Sequence, residues 1–291
     1  MDERAALALL AGELPGAGDD AAVVDGIVLT TDMLHDRTDF PAGTTRYTAG
    51  WRSVGASLSD LAAMGAEAVA AVAVYAAPSF EAAELRAFLR GAREVCERVG
   101  GEYVGGDLDD HGEFTVATTA VGRTDDPVLR GGASAGEAVC VTGTLGRTAA
   151  GLRLFERGAV ERGNELFCFD PRVAAGRVVA PHATAMMDSS DGLARSLHQL
   201  AEASDCGFSI EGEAIPVDEA VREVTHGEAE ALDLATTVGE DFELVFTVPE
   251  EDVEAVQEDS PTPITRIGET TPSGIELDGE ALADRGYSHS G

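Results

Sequence analysis

Residues 57–66 read SLSDLAAMGA and close the clearest helical pattern in the sequence. Apolar side chains recur at nearly helical spacing before and within this stretch, at Trp51, Val54, Leu58 and Leu61. The spacing predicts a helix from Thr44 to about Met64, which Gly65 ends. Asp60 lies inside this helix, and its neighbours one turn away are Ser57 and Met64. We therefore expect its carboxylate to lie off the most solvated face.

The chain on either side of this helix alternates between strand and helix patterns. Residues 23–31 predict a strand with a turn at Asp25-Gly26, followed by the polar run Thr30-Thr31-Asp32. After the helix, residues 68–75 predict a strand and residues 80–99 an amphipathic helix. Two further strands, at 103–104 and 114–121, are expected to flank an acidic loop at 105–113.

The best candidate for a linker is Asp125-Asp126-Pro127. Beyond it the alternation begins again, with helices expected at 148–157, 173–180 and 193–203 and strands at 138–142, 183–187, 207–210, 242–248 and 264–267. Mixed helices and strands in two blocks predict a two-domain α/β or α+β protein, divided into residues 1–126 and 127–291.

The charge of the chain is strongly one-sided. Its 291 residues include 53 acidic and 20 basic ones, all arginine, which gives a formal net charge of −33. Such a protein repels itself in dilute buffer, whereas in 1 M salt the Debye length falls to roughly 3 Å and screens the repulsion. An acidic surface without lysine is typical of a protein that works in molar salt, and we expect an extreme halophile as its source.

Several classes of function are disfavoured by this composition. Nucleic acids and anionic membranes need basic patches, and a chain without lysine has no P-loop lysine and forms no Schiff base. The four cysteines lie far apart, at Cys96, Cys140, Cys168 and Cys206, which favours reduced thiols over a zinc site or disulfides. No secretory signal pattern and no apolar run of about 20 residues is found, so we expect a soluble cytoplasmic protein.

A subset of the carboxylates shares one context: each stands at a strand end or in an apolar element, beside Gly, Ser or Thr. These are Asp19, Asp20, Asp32, Asp60, Asp107, Asp188 and Asp191. Buried carboxylates are costly unless they are paired or bind a metal. Oxygen ligands without Cys or His favour Mg²⁺, with Ca²⁺ or Mn²⁺ as alternatives, and Mg²⁺ indicates nucleotide phosphate chemistry.

Three other motifs are weaker indications of function. The segment from Asp107 to Gly112 begins like an EF-hand loop, but Thr118 stands where the bidentate Glu is required. The turn at 143–146, GTLG, precedes a helix and could cradle phosphate, although such turns are common. Ser189 and Ser190 have no nearby His or Lys, which disfavours hydrolase chemistry. The residues alone thus indicate a two-domain protein that depends on Mg²⁺ and phosphate.

Eight segments in order resemble the thiamine-monophosphate kinase family, of the superfamily that includes aminoimidazole ribonucleotide synthetase. They are GDDAA at 18–22, TTD at 30–32, SLSDLAAMGA at 57–66, GGD at 105–107, RGGA at 130–133, VTG at 141–143, DSSDGL at 188–193 and GEDFEL at 239–244. The resemblance implies transfer of the γ-phosphate of ATP to thiamine monophosphate. It also implies a homodimer whose N-terminal domains share a β-barrel, with C-terminal α/β domains outside.

The same resemblance implies roles for particular residues. Several Mg²⁺ ions would be held by Asp20, Thr30, Thr31, Asp32, Asp60, Asp107, Asp188 and Asp191. ATP would be contacted by Gly106, Asp107, Arg130 and Ser190, and the thiamine substrate by Asp39, Glu240 and Tyr287. No general base is implied, because the attacking phosphate oxygen is already ionised.

Two departures from the family pattern concern substrate recognition. Asp39 precedes Phe40 where family members often carry a histidine, and the residues after Gly286-Tyr287 lack the aromatic that is expected there. The alternatives are another ATP-dependent synthetase of the superfamily, or a non-catalytic acidic protein that binds divalent metal. A hydrogenase-maturation dehydratase would need a C-terminal cysteine, and a selenophosphate synthetase would need a lysine.

Overall fold

Two mixed β-sheets with their covering helices form the computed structural model, which describes residues 9–10, 12–14 and 18–286. The first sheet contains β1 (Ala22–Val24), β2 (Ile27–His35), β3 (Glu67–Ala77), β4 (Glu102–Asp110) and β5 (Thr115–Arg123). Its order is β1-β2-β5-β3-β4, with β3 and β4 parallel and the other neighbours antiparallel. Its helices are α1 (Arg46–Ala63) and α2 (Ala82–Arg98).

The second sheet has the order β12-β11-β8-β10-β6-β9-β7. Its strands are β6 (Ala138–Thr142), β7 (Ala185–Asp188), β8 (Gly207–Ile210), β9 (Leu244–Val248), β10 (Ile264–Thr271), β11 (Ile275–Leu277) and β12 (Glu280–Ala281). The helices that accompany it are α3 (Arg147–Glu156), α4 (Val160–Phe167), α5 (Val173–Val179), α6 (Leu193–Ser204), α7 (Glu219–Val224), α8 (Glu228–Thr237) and α9 (Val253–Asp259). Short 3₁₀ turns lie at Gly212–Ala214 and Glu250–Asp252.

Helix α1 lies between the two sheets, and most of its 18 residues are buried. Val54 and Leu58 belong to the same apolar cluster as Met186 and Phe246, which come from the second sheet. The helix begins where the Thr45 side chain accepts a hydrogen bond from the Thr48 amide at 3.1 Å. It is therefore part of the hydrophobic core of both halves of the molecule.

Two glycines allow α1 and α2 to cross closely. A Cβ atom at Gly50 would lie 2.2 Å from the carbonyl oxygen of Phe88. A Cβ atom at Gly91 would lie 2.0 Å from the carbonyl oxygen of Tyr47. Since neither backbone carbonyl can move without displacing its helix, a larger residue at either position would push the two helices apart.

Most of the elements that the sequence predicts are present, with ends shifted by a few residues. The prediction of an acidic loop at 105–113 is wrong, because β4 continues to Asp110 in parallel register with β3, where Ala77 is the partner. The strand carries no apolar alternation because it is an exposed edge of the sheet. Helices α4, α7, α8 and α9 were not predicted. The two sheets use residues 22–123 and 138–281, and the boundary between residues 126 and 127 stays a prediction.

None of the helices within residues 9–10, 12–14 and 18–286 is both long enough and apolar enough to cross a membrane.

Candidate active site

Helix α1 holds hydroxyl groups against carboxylates of both sheets. Ser57 Oγ donates to Asp32 Oδ2 of β2 at 2.5 Å. Two residues further on, Ser59 Oγ donates to Asp188 Oδ2 at the end of β7 at 2.6 Å. One helix therefore fixes the positions of two carboxylates that belong to different sheets and lie far apart in the sequence.

Three carboxylates converge beside these serines. One oxygen from each of Asp20, Asp60 and Asp188 lies within 4.8 Å of the others. The Asp20 side chain is only 1% exposed and Asp188 is 1% exposed. The hydroxyl of Thr30 donates to Asp60. The structure thus brings Asp20, Thr30, Asp32, Asp60 and Asp188 to one place between the sheets.

Burial and mutual repulsion raise the pKa values of these carboxyl groups. Burial raises the pKa of Asp60 well above its usual range, and the charges of Asp32 and Asp188 raise it further. Burial, followed by the charge of Asp20, raises the pKa of Asp188 to about 7, although its hydrogen bond from α1 acts in the opposite direction. Burial also raises the pKa of Asp32. The ionised cluster therefore lacks enough positive charge nearby, and a bound cation would stabilise it.

The donor set suits a hard divalent cation. Asp188 Oδ1 is buried, and among the described residues it has no hydrogen-bond partner. A buried carboxylate oxygen without a partner is costly, and a metal ion removes that cost. The surrounding side chains offer carboxylate and hydroxyl oxygens, which are the ligands that Mg²⁺ prefers. The residues present therefore fit a magnesium site.

Arg130 touches the edge of this cluster from the segment between the two sheets. Its Nη2 and Nε donate to the two oxygens of Asp20 at 2.8 and 3.2 Å, which is a bidentate pair. Its backbone amide donates to Asp19 Oδ1 at 2.9 Å. The guanidinium is thus held where it neutralises part of the converging charge.

Three residues predicted for the site lie next to the cluster in sequence but outside the three-carboxylate group. Thr31 is exposed, and its Oγ1 donates to the carbonyl of Thr118 on β5 at 2.8 Å. Asp191 is half-buried on the loop that leads into α6. Ser190 lies on the same loop, and its carbonyl accepts the amide of Glu240 at 2.6 Å.

Gly106 and Asp107 lie apart from the cluster, on the edge strand β4. Three inter-strand spacings separate β4 from β2, or about 14 Å. Asp107 is exposed, and with Gly106 it lines a cavity of about 400 Å³ that also contains Tyr75 and Tyr103. Gly106 has φ +155°, and a Cβ atom there would lie 1.7 Å from a carbonyl oxygen of β3, so this wall of the cavity requires glycine.

Asp39 and Glu240 line a second cavity, of about 150 Å³, with Thr148 from α3. Asp39 Oδ2 accepts the His35 amide at 2.6 Å. Glu240 Oε2 accepts a hydrogen bond from Arg52 of α1 at 2.9 Å. Tyr287, the third residue predicted to contact substrate, lies outside the described residues.

The turn at 143–146 is not open to phosphate. Asp241 accepts the amide of Gly146 at 2.5 Å and that of Thr148 at 2.9 Å. The amides of Gly143 and Leu145 donate to main-chain carbonyls at 2.9 and 2.8 Å. Because the start of α3 is already occupied by a carboxylate of the chain itself, the motif serves folding and not ligand binding.

Sequence reasoning missed the partners of Glu240 and its neighbours. Arg52 is fully buried, although a charged residue in a helix is ordinarily assigned to the solvent. Asp241 is buried at the start of α3, and burial raises its pKa to about 7. Glu243 accepts from Thr142 Oγ1 at 2.6 Å and from Arg172 Nε at 2.7 Å. The one local signal was the density of acids among apolar residues in GEDFEL, which does not identify their partners.

Comparison with known proteins matches both parts of the chain to one family. Residues 18–124 match the family model "AIR synthase related protein, N-terminal domain", and residues 134–278 match the C-terminal domain model of the same family. The thiamine-monophosphate kinase of Halobacterium salinarum is 60% identical over 291 residues, which is 99% of this chain and 100% of that protein.

Two solved structures have the same fold over nearly the whole chain. The structure of AaThiL complexed with AMPPCP and TMP has a TM-score of 0.90 at 27% identity and covers 99% of this chain and 97% of that one. The thiamine-monophosphate kinase of Stenotrophomonas maltophilia K279a has a TM-score of 0.82 at 31% identity and covers 92% of both chains. The resemblance that the eight motifs indicated is therefore confirmed, and the fold is the two-domain α/β fold of that superfamily. The chain belongs to the thiamine-monophosphate kinase family, within the AIR synthase related proteins.

Proposed function

We propose that this protein transfers the γ-phosphate of ATP to thiamine monophosphate, which gives thiamine diphosphate, with Mg²⁺ ions bound between its two domains. The observation that carries the proposal is the convergence of Asp20, Asp60 and Asp188, whose oxygens lie within 4.8 Å of one another. The AaThiL structure with AMPPCP and TMP, at 27% identity, supports an ATP analogue and TMP as ligands of this fold.

Beside α1 the metal ions would be held by Asp20, Thr30, Asp32, Asp60 and Asp188. Thr31 and Asp191, which adjoin this group in sequence, and Asp107, which lies on β4 beside the larger cavity, would hold further ions. Bound Mg²⁺ neutralises the charge of two phosphate groups that otherwise repel each other. The protein supplies the ligands and fixes their positions through α1, whose serines bind Asp32 and Asp188. No general base is needed, since the acceptor phosphate carries its own ionised oxygen.

ATP would be contacted by Gly106, Asp107, Arg130 and Ser190. Gly106 and Asp107 line the cavity of about 400 Å³, in which the rings of Tyr75 and Tyr103 offer apolar surface to a base. Arg130 is half-buried and bidentate to Asp20, in a position to donate to phosphate at the edge of the metal cluster.

The thiamine substrate would be recognised by Asp39, Glu240 and Tyr287. Asp39 and Glu240 line the cavity of about 150 Å³. Thiamine carries a positive thiazolium ring, to which the carboxylate oxygens of Asp39 and Glu240 would be offered, with Arg37 at the same cavity and Arg52 paired to Glu240. Glu240 keeps 21% of its side chain exposed, so it can reach a ligand.

We further propose that the protein is a homodimer joined through the first sheet, with the N-terminal domains forming a shared barrel. The sheet face turned away from α1 is apolar and exposed at Val24 (63%), Ile27, Leu29, Met33 (58%) and Val74. In so acidic a protein a contiguous apolar sheet face indicates a surface that a partner covers. A second copy fits because a twofold axis would cover the same apolar face of both chains at once. Sedimentation in molar KCl is expected to give twice the mass of one chain, and a monomeric mass would reject the dimer.

The activity is tested by incubating the protein with ATP, Mg²⁺ and thiamine monophosphate in molar KCl. We expect thiamine diphosphate to form with the wild-type chain. We expect none with Asp60→Asn or Asp107→Asn, which remain folded by circular dichroism. Turnover of a purine precursor without thiamine diphosphate would favour the synthetase alternative. Metal binding without turnover of either would favour the non-catalytic one.

A further inference from the structure

Arg52 carries a positive charge into the contact between α1 and the second domain. Its side chain is 0% exposed, and its neighbours in the helix, Ser53 and Val54, are buried as well. A guanidinium that is removed from water is costly unless its donors find partners. The partners that it has therefore indicate its role.

Two of its four hydrogen-bond partners belong to Glu240. Arg52 Nη2 donates to Glu240 Oε2 at 2.9 Å and to the Glu240 carbonyl oxygen at 3.1 Å. The same nitrogen lies 3.2 Å from Thr148 Oγ1, which itself donates to the Glu240 carbonyl at 2.7 Å. Arg52 Nη1 donates to the carbonyl of Phe167 at 3.1 Å. One guanidinium thus binds both the side chain and the main chain of Glu240.

Aromatic rings enclose this contact. The Arg52 guanidinium lies 4.3 Å from the ring centroid of Phe167 and 5.6 Å from that of Phe242. The rings of Phe169 and Phe242 are stacked at 4.3 Å. The rings attract the cation and keep water from the guanidinium, which is 0% exposed, and this strengthens the hydrogen bonds that it donates.

The backbone of the segment is held in a conformation that its residues disfavour. Glu240 has φ +66° and Phe242 has φ +55°, which is the left-handed region for residues that carry a Cβ atom. Such residues stay there only where the surroundings fix them. The Glu240 amide donates to Ser190 and the Phe242 amide to Ser189, while Arg52 fixes the intervening carbonyl and carboxylate.

We propose that Arg52 is a positioning residue for the acceptor substrate: by clamping Glu240 it fixes the carboxylate in the thiamine cavity relative to the metal cluster. The inference rests on the proposed function, because it takes Glu240 as the group that faces thiamine. Helix α1 carries both Arg52 and the cluster residue Asp60, two helical turns apart. The same helix therefore sets the distance between the acceptor pocket and the phosphoryl-transfer site.

The test is Arg52→Lys, with Arg98→Lys as its matched control. Lysine keeps the charge but donates from a single nitrogen, so it cannot hold the Glu240 carboxylate, the Glu240 carbonyl and the Phe167 carbonyl together. We expect the KM for thiamine monophosphate to rise about tenfold and the KM for ATP to stay within about twofold. Arg98 makes a bidentate pair with Asp170, at 2.8 and 3.1 Å, but lines neither cavity. Its variant is expected to leave both constants unchanged.

Amide hydrogen exchange gives a second readout that does not need turnover. In Arg52→Lys the amides of Glu240 and Phe242 are expected to exchange faster, and in Arg98→Lys they are not. If Arg52→Lys yields no folded protein, Thr148→Val removes the hydroxyl that links Arg52 to the Glu240 carbonyl. Because Thr148 itself lines the cavity of about 150 Å³, the readout for this variant is faster exchange of the Glu240 amide, and unchanged exchange would overturn the proposal.

Two kinetic results would overturn the proposal. One is an unchanged KM for thiamine monophosphate. The other is a loss of kcat that accompanies a lower Tm without any selective rise of that KM, which would make Arg52 a merely structural residue. A wild-type protein that forms no thiamine diphosphate contradicts the proposed function instead. In that case unchanged exchange at Glu240 in Arg52→Lys would still overturn the positioning role.

Discussion

Replacing Asp188 by asparagine separates two effects of its buried charge, which destabilises the fold and serves the binding of a metal ion. Asparagine keeps an oxygen that accepts the hydrogen bond from Ser59, but it carries no charge. We expect Asp188→Asn to abolish kinase activity and, in the presence of EDTA at pH 8, to make the protein more stable than the wild type. A more stable but inactive variant is the signature of a residue whose charge serves ligand binding.

The magnitude follows from the pKa of Asp188. Burial raises it from 3.8 to about 7 in the folded protein. At 1.36 kcal/mol per pH unit the ionised form is disfavoured by roughly 4 kcal/mol. Because the folded-state pKa is raised, the stability of the wild type is full below about pH 4 and is lost as the pH rises through 7. The variant escapes this loss, so its Tm in EDTA at pH 8 is expected to be higher by about 8 °C.

The assay is thermal unfolding in molar KCl with EDTA at pH 5 and pH 8, repeated with excess Mg²⁺. At pH 5 the Tm difference between the two proteins is expected to be less than half of that at pH 8, because most of the loss falls between pH 5 and pH 7. Mg²⁺ is expected to raise the Tm of the wild type far more than that of the variant. Asp259→Asn, at an exposed carboxylate, is the control and is expected to behave as the wild type. A variant that is less stable than the wild type in EDTA at pH 8 would refute the reasoning.

Three further predictions concern other features of the molecule. Gly106→Ala places a Cβ atom against the carbonyl of Ala73, so the free energy of unfolding is expected to fall by about 2 kcal/mol in urea titrations and ATP binding to weaken. Gly112→Ala, where no atom lies within 4 Å, is its control and should change neither. Met33→Asp puts a charge on the apolar sheet face, and sedimentation is expected to show the dimer dissociate, whereas Ser273→Asp on an exposed turn leaves it intact. Raising KCl from about 0.1 M to about 1 M shortens the Debye length from about 10 Å to about 3 Å and screens the repulsion within a chain of net charge −33. The urea concentration at the unfolding midpoint is therefore expected to rise, and a constant midpoint would contradict salt adaptation.

Local patterns predicted the elements that surround the cluster. The apolar spacing from Trp51 to Leu61 indicated α1, and the same pattern indicated that Asp60 leaves the solvated face, where the structure shows it bonded to Thr30. A predicted strand end at Thr31 indicated Asp32, although β2 in fact continues to His35, and the strand end before residue 188 indicated Asp188. Each of these inferences used residues within about one turn or one strand of each other, and such interactions can be predicted from sequence.

Contacts between distant segments could not be predicted in this way. Arg52 and Glu240 are 188 residues apart, and in sequence each resembles an exposed charge. The burial of Asp241 depends on where α3 begins, and strand β4 depends on the parallel partner that β3 supplies. The separation of Asp107 from the other carboxylates follows from the strand order, since β5 and β3 lie between β4 and β2. All four features depend on contacts between distant segments, which a local sequence pattern does not predict.

The position of α1 has a consequence for modularity. Helix α1 belongs to the N-terminal segment but packs with Met186 and Phe246 of the second sheet. Neither half therefore has a complete hydrophobic core of its own. Separate expression of residues 1–126 would leave the apolar surface of α1 without its second-domain partners. Exchange of whole halves between distant relatives would require both sides of this shared helix to change together. The family's two segments are therefore expected to be inherited as one cooperative unit.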